Sequence, residues 1–350
     1  MEDAQKVRKL SSHSALHKRP EPVIEKGCRT LSVKTHMFTS DQTLVRTTGV
    51  AARPRRRWRR QLIRLTFLLP LLLYIAIFYG YPLFYSLQIS LEQYDLQAEI
   101  TGNAAFIGFA NYMTVMSDPT FQSAALHTLL FTLLSIVPQF LLGLALALFF
   151  TRHFPLGRFL RALFLLPWLL PLIVSGTIWK WLFNETNGLI DQVLTGLHLA
   201  PAHFGWLTTP GWALAALIIA NIWLGIPFNM VILYSGLQGI STEFYEAASI
   251  DGANSWQRFR YIILPLLEPV IGIVLMLGFI YTLKVFDVIY VMTQGGPAND
   301  TQTFATWSYS LSFGQQLFGQ GAAQANLILV ISLVLALIYL RVSRRSTEWV

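Results

Sequence analysis

Charge is scarce in this 350-residue chain, where Asp, Glu, Lys and Arg together make up 13% of the residues, about half the share found in soluble domains. With 54% hydrophobic residues and a mean hydropathy of +0.49, that scarcity excludes an ordinary soluble globule and indicates a polytopic membrane protein. Cysteine is nearly missing. The single Cys28 rules out an intrachain disulfide, and no apolar run precedes it to make it a lipidation site. No Lys follows a Gly anywhere, so no G-x-x-x-x-G-K-[ST] loop is present to cradle nucleotide phosphates. Neither a G-x-S-x-G motif nor a pair of carboxylates offers a catalytic constellation. His198 and His203 lack further ligands at metal spacing. The connections 91–122, 184–210 and 293–321 contain no Lys or Arg at all.

What charge there is lies mostly at one end. Residues 1–64 hold 16 basic and 5 acidic residues, a balance of +11, whereas residues 65–350 hold 10 and 13, a balance of −3. Seven arginines (Arg53, Arg55, Arg56, Arg57, Arg59, Arg60 and Arg64) lead straight into an apolar run. A basic arm so placed sits against anionic membrane lipid and fixes topology, which excludes nucleic acid as a partner. Residues 1–52 show no sustained apolar period, so residues 1–56 read as a disordered, basic, cytoplasmic arm, with Met37 as an alternative start.

Six apolar segments of spanning length follow, at 65–90, 123–150, 162–183, 211–237, 266–292 and 322–340. The expected fold class is all-α, a polytopic membrane protein of six transmembrane helices over residues 57–345, with a short cytoplasmic tail at 346–350. Arg152, Arg158, Arg161, Arg258 and Arg260 follow the second and fourth segments, and Arg341, Arg344 and Arg345 close the chain. By the positive-inside rule both termini are cytoplasmic. Trp179, Trp181, Trp206 and Trp212 gather towards the opposite face as an aromatic belt. Prolines 82, 138, 167, 171, 227 and 269 fall inside the spans, where broken backbone is tolerated if it lines a cavity.

Between the fourth and fifth segments lies a polar stretch, 241–265. Ser241 is placed to cap a helix with Glu243 in its first turn. Gly252 suits the left-handed turn beyond its end. Asn254 or Ser255 can cap a second helix carrying Trp256, Arg258, Phe259 and Arg260, which Pro265 and Pro269 are expected to interrupt. Gln257 reads as replaceable.

Glu246, Ala247, Ala248, Gly252, Ile262, Leu264 and Pro265 together form a pattern that resembles the cytoplasmic coupling loop of binding-protein-dependent ABC importer permeases. FIGFANY at 106–112 with Asp118, Pro119 and Phe121, NIWLGIPFN at 221–229 and FDVIYVMTQGGP at 286–297 are similar to the carbohydrate-uptake branch, and the likeness runs from about Arg57 to Ser343. Two departures stand out. Thr242 takes a position where relatives often carry Pro, and the outer loop after the third span lacks the large insertion of enteric maltose permeases.

The resemblance implies a type I ABC importer permease, an ATP-driven sugar importer subunit in a bacterial inner membrane. Its implied partners are a second permease, ATP-binding subunits carrying ATP and Mg, an extracytoplasmic sugar-binding protein and the sugar itself. The chain would need no cofactor and perform no catalysis of its own. ATPase coupling would fall to Glu246, Ala247, Ala248, Gly252 and Pro265, with the two alanines allowing close approach. In maltose-type permeases the sugar pocket lies between the helices flanking the loop, which implies Asn221, Leu224, Gly225 and Phe228 on one side. On the other it implies Gly278, Tyr281, Thr282 and Val285. Thr282 and Val285 stand where maltose-specific relatives offer more amides, which argues against maltose itself.

Lys284 and Asp287, three residues apart on the expected fifth helix, are placed to form a structural ion pair. The alternative is an ion-coupled secondary transporter, which needs intramembrane carboxylates on a relay; Asp287 and Glu268 are the candidates.

Overall fold

Inside a bilayer every backbone N–H and C=O must find its partner within the segment, so the apolar runs have no choice but to be helical. The computed structural model describes residues 66–152 and 154–347. The basic arm 1–56, Met37 and the last three residues of the tail lie outside them. Among the described residues, five helices are long and apolar enough to cross a membrane: Thr66–Ser90, Pro119–Phe150, Trp212–Gln238, Ser255–Leu283 and Phe318–Arg341, the last continuing to Thr347. They are the first, second, fourth, fifth and sixth spans.

The third expected span is present but divided into helices Gly157–Phe164, Leu166–Leu169 and Leu172–Leu182. Pro167 sits in the first turn of the middle piece, and Leu170 is extended immediately before Pro171. That is the conformation a following proline imposes.

At the fifth span the sequence expectation is overturned. Pro265 and Pro269 do not interrupt it; one 29-residue helix runs from the loop to Leu283. A π-helical turn, Phe259–Ile263, falls just before Pro265 and takes up the change of register where that residue has no N–H to donate. The span breaks at its other end instead. Residues 284–286 leave the helix, and a short helix, Asp287–Thr293, follows. Lys284 and Asp287 therefore do not share a helical face, and the expected ion pair does not form. The Lys284 ammonium lies 5.4 Å from the Tyr281 ring centroid.

The second and fourth spans make the centre of the bundle, with 39% and 50% of their most apolar windows buried against 0% for the first span. One core cluster joins Phe131, Leu217 and Leu224 to Val288, Ile289 and Met292; a second joins Leu144 and Ala147 to Leu233, Leu237, Leu267 and Val274. Gly143 lets the central pair cross, since a Cβ there would come within 2.5 Å of Asn229 Cβ and 3.1 Å of Met230 N. A Cβ on Gly225 would overlap the Gln139 carboxamide, whose Nε2 donates to the Asn221 carbonyl at 2.8 Å. Gly225→Val should therefore displace that buried carboxamide between the two helices and break its hydrogen bond, at about 2–4 kcal/mol. The expected result is a sharp fall in the amount of permease recovered from membranes and in its melting temperature, and recovery at the wild-type level would contradict this packing.

Trp206 belongs to the core rather than to an interfacial belt, because its Nε1 donates to Asp191 at 3.3 Å and its ring packs in the first cluster. A two-stranded ladder, Glu92–Gln93 with Ala105–Phe106, is the one departure from all-α among the described residues. Its second strand leads into FIGFANY, and Asn111 of that motif is buried and donates to the Ser90 and Glu92 carbonyls at 2.9 and 2.8 Å. Tyr112 meets Ser90 at 2.8 Å and Asn326 at 3.3 Å. The motif thus ties the first span to the sixth.

Candidate functional site

All eight residues implied as sugar-facing line a single cavity of about 510 Å³ between the fourth and fifth spans. Asn221, Leu224, Gly225 and Phe228 reach it from one helix at helical spacing, and Gly278, Tyr281 and Thr282 from the other. Val285 arrives differently, from the break beyond Leu283, so it shares the cavity without sharing the helix. The two glycines also differ. Gly225 is a packing residue, whereas a Cβ on Gly278 would meet nothing within 4 Å. Gly278 leaves room in the cavity rather than letting helices touch.

Four aromatic residues, Trp168, Phe228, Tyr281 and Phe286, line the cavity. Trp168 and Phe228 lie with ring centroids 6.4 Å apart, and Phe228 meets Tyr281 edge-to-face at 5.8 Å. Such an edge contact stabilises by about 0.5–1.5 kcal/mol. Polar groups are few: Asn221, Thr282 and Asn229 line the wall with Gln139, Lys284 and Asp287. Asn229 Nδ2 donates to the Gly225 carbonyl at 2.8 Å, while Asn221 Nδ2 is buried without a partner. An amide N–H left unpaired there is costly until something in the cavity accepts from it. Trp168 escaped sequence reasoning because the proline-broken third span brings it in; Gln139, because only the crossing of the second and fourth spans places it. Glu268 is not among the lining residues, so the two carboxylates of a relay are not brought together.

At the end of the fourth span the polar stretch folds into the helix Thr242–Ile250, capped as expected by Ser241, whose Oγ accepts from Glu243 N–H at 3.4 Å. Gly252 turns the chain with φ +73°, in open space. Asn254, not Ser255, caps the next helix through a reciprocal box with Gln257 at 2.8 and 2.9 Å. Gln257 accordingly has a structural role that the sequence alone hid. Glu246 and Ala247 are exposed, as a docking face requires, but Ala248, expected with Ala247 to allow close approach to the partner, is buried within the chain. Burial also pushes the nearby Tyr245 phenol up from its ordinary pKa. Pro265 is exposed in the unbroken fifth helix.

A family model described as the binding-protein-dependent transport system inner membrane component matches residues 139–348. The chain belongs to this family. It is therefore a multi-pass transport permease of an inner membrane. The trehalose/maltose transport system permease protein MalF of Thermococcus litoralis is 34% identical over 82% of this chain and 96% of its own length. The sulfoquinovosyl glycerol transport system permease protein SmoG of Agrobacterium fabrum is 33% identical over 82% and 94%. A bacterial ABC transporter that imports the acidic polysaccharide alginate shares the fold, with a TM-score of 0.72 and 23% identity over 83% of this chain and 99% of that one. The expected type I importer permease fold is thus met.

Proposed function

We propose that this permease is one membrane subunit of an ATP-driven sugar importer, with the 510 Å³ cavity as the sugar's station on its path across the membrane. The observation that carries the reading is the convergence of Trp168, Phe228 and Tyr281 with the unpaired Asn221 amide in one cavity between the two helices flanking the polar loop. Sugars present C–H faces that suit aromatic rings and hydroxyls that suit amides and Thr282. The loop 241–265 docks on an ATP-binding subunit, offering Glu246 and Ala247, and the charge pattern supports a cytoplasmic setting for it and for both termini. A similar second permease completes the pathway, and an extracytoplasmic sugar-binding protein delivers the sugar. ATP and Mg belong to the ATPase partner. Closure of the ATPase pair draws the two coupling loops together and opens the pathway outward.

Tyr281→Ala combined with Asn221→Ala should raise the sugar concentration needed for half-maximal uptake by roughly five- to 150-fold, given about 0.5–1.5 kcal/mol for each lost contact. Stimulation of the ATPase by loaded binding protein should persist. Unchanged uptake in the double variant removes this cavity from the pathway. Uptake that survives loss of the ATPase but collapses with an ionophore would instead favour ion coupling.

A further inference from the structure

A second, larger cavity of about 1010 Å³ lies at the loop end of the bundle, between the close of the second and fourth spans, the helix Gly157–Phe164 and the start of the fifth span. Arg152, Arg158 and Arg161 line it, and no carboxylate does so among the described residues. None of the three forms an ion pair there with a described residue. The Arg161 guanidinium lies 3.9 Å from the Tyr234 ring centroid and 5.7 Å from that of Phe150. Stacking occupies its faces and leaves the N–H groups at its edge, and Nε is buried with no hydrogen-bond partner. A charged donor in that position lacks the acceptor that burial demands.

We propose that this cavity binds the phosphate headgroup of an anionic phospholipid. Arginine forks match phosphate oxygens in a way a point charge does not. Beside the polar Thr151 and Gln238 the lining carries an apolar part, from Leu148, Phe154, Leu237 and Ile263, which suits the root of an acyl chain and which a free phosphate would leave unmatched. Exposed Arg152 and Arg158 meet the headgroup at the rim while Arg161 holds it from within. The site lies beside the helix Thr242–Ile250, since Thr242 and Tyr245 form part of its wall. It rests on the proposed function only in calling this end cytoplasmic.

The test uses the full chain purified with its partner subunits and equilibrated with mixed micelles of phosphatidylglycerol and phosphatidylcholine. Retained phosphatidylglycerol per complex is then counted by native mass spectrometry. Retention should fall at least about tenfold in Arg158→Gln/Arg161→Gln, each basic residue being worth about fivefold. Arg152→Gln/Arg158→Gln, at exposed positions, should give a similar loss without endangering the fold. Arg260→Gln, which removes a charge from the same end but outside the cavity, should leave retention intact, as should millimolar inorganic phosphate. Equal retention in the cavity variants and the wild type overturns the proposal. So does displacement by inorganic phosphate alone, which would assign the site to a soluble anion.

Discussion

Replacing Gly278 by tryptophan is expected to abolish sugar uptake while leaving the permease inserted and assembled with its partners. A side chain at this position enters open space, since even its Cβ would meet nothing within 4 Å. An indole presents roughly 200 Å² of surface and would stand in the cavity opposite Phe228, where the sugar is to pass. Exchanging Gly inside a helix also removes a penalty of about 0.5–1 kcal/mol, so stability should hold or rise. Gly278→Ala should transport nearly normally, because one methyl group fits a 510 Å³ cavity. Uptake by the tryptophan variant at the wild-type rate, measured with the radiolabelled sugar in intact cells, would refute a pathway through this cavity. The contrast with Gly225→Val, which should lose the protein itself, separates a glycine that keeps space from one that keeps contact.

Glu246→Lys and Gly252→Val should each give a permease that is inserted and folded but no longer stimulates its ATPase. Glu246 is exposed on the helix Thr242–Ile250, and if that helix docks as proposed, a charge-assisted contact in a semi-buried groove is worth about 1.5–3 kcal/mol, so reversal should weaken ATPase retention by tenfold or more. Gly252 acts through the backbone alone. A Cβ there would meet no neighbour within 4 Å, but φ is +73°, and holding a β-branched residue in the left-handed region costs about 1–2 kcal/mol, which misdirects the helix that Asn254 caps. Gln257→Ala loses half of the capping box, about 0.5–1 kcal/mol, and should reduce coupling far less. Co-purification of the ATPase and its activity with loaded binding protein supply the readout. Wild-type coupling in Glu246→Lys would count heavily against the docking face.

The loop was the most legible part of the chain because its signals are local. A serine before a carboxylate and a glycine after a helix each satisfy or free backbone groups within four residues, and both took the expected geometry, whereas the choice of Asn254 over Ser255 and its box with Gln257 came only with the structure. Prolines were less legible. Pro171 broke its helix, whereas Pro265 and Pro269 did not, since a π-helical turn and the packing of Leu267 and Val274 in the core hold that span together. The broken end at 284–286 carries neither glycine nor proline to announce it, so the expected pairing of Lys284 with Asp287 failed for want of a shared helix face. Ala248 misled in the same way, for small size suits an inner contact as well as an outer one.

By itself, then, the sequence determined the helical class, the places of the spans, and the loop's first cap and reversal, while the two sets of four residues around the cavity came from the resemblance to maltose-type permeases. What the sequence determined follows from the backbone's need for internal hydrogen bonds in lipid and from local capping, both of which act along the chain. Only the tertiary structure decided that Gln139 and Trp168 join the cavity, that Gly225 packs while Gly278 stays clear, and that three arginines share a wall without an acid. Those outcomes depend on how close two helices pass and at what height, a matter of side-chain volumes meeting across more than eighty residues of sequence, as in the bond from Gln139 to Asn221.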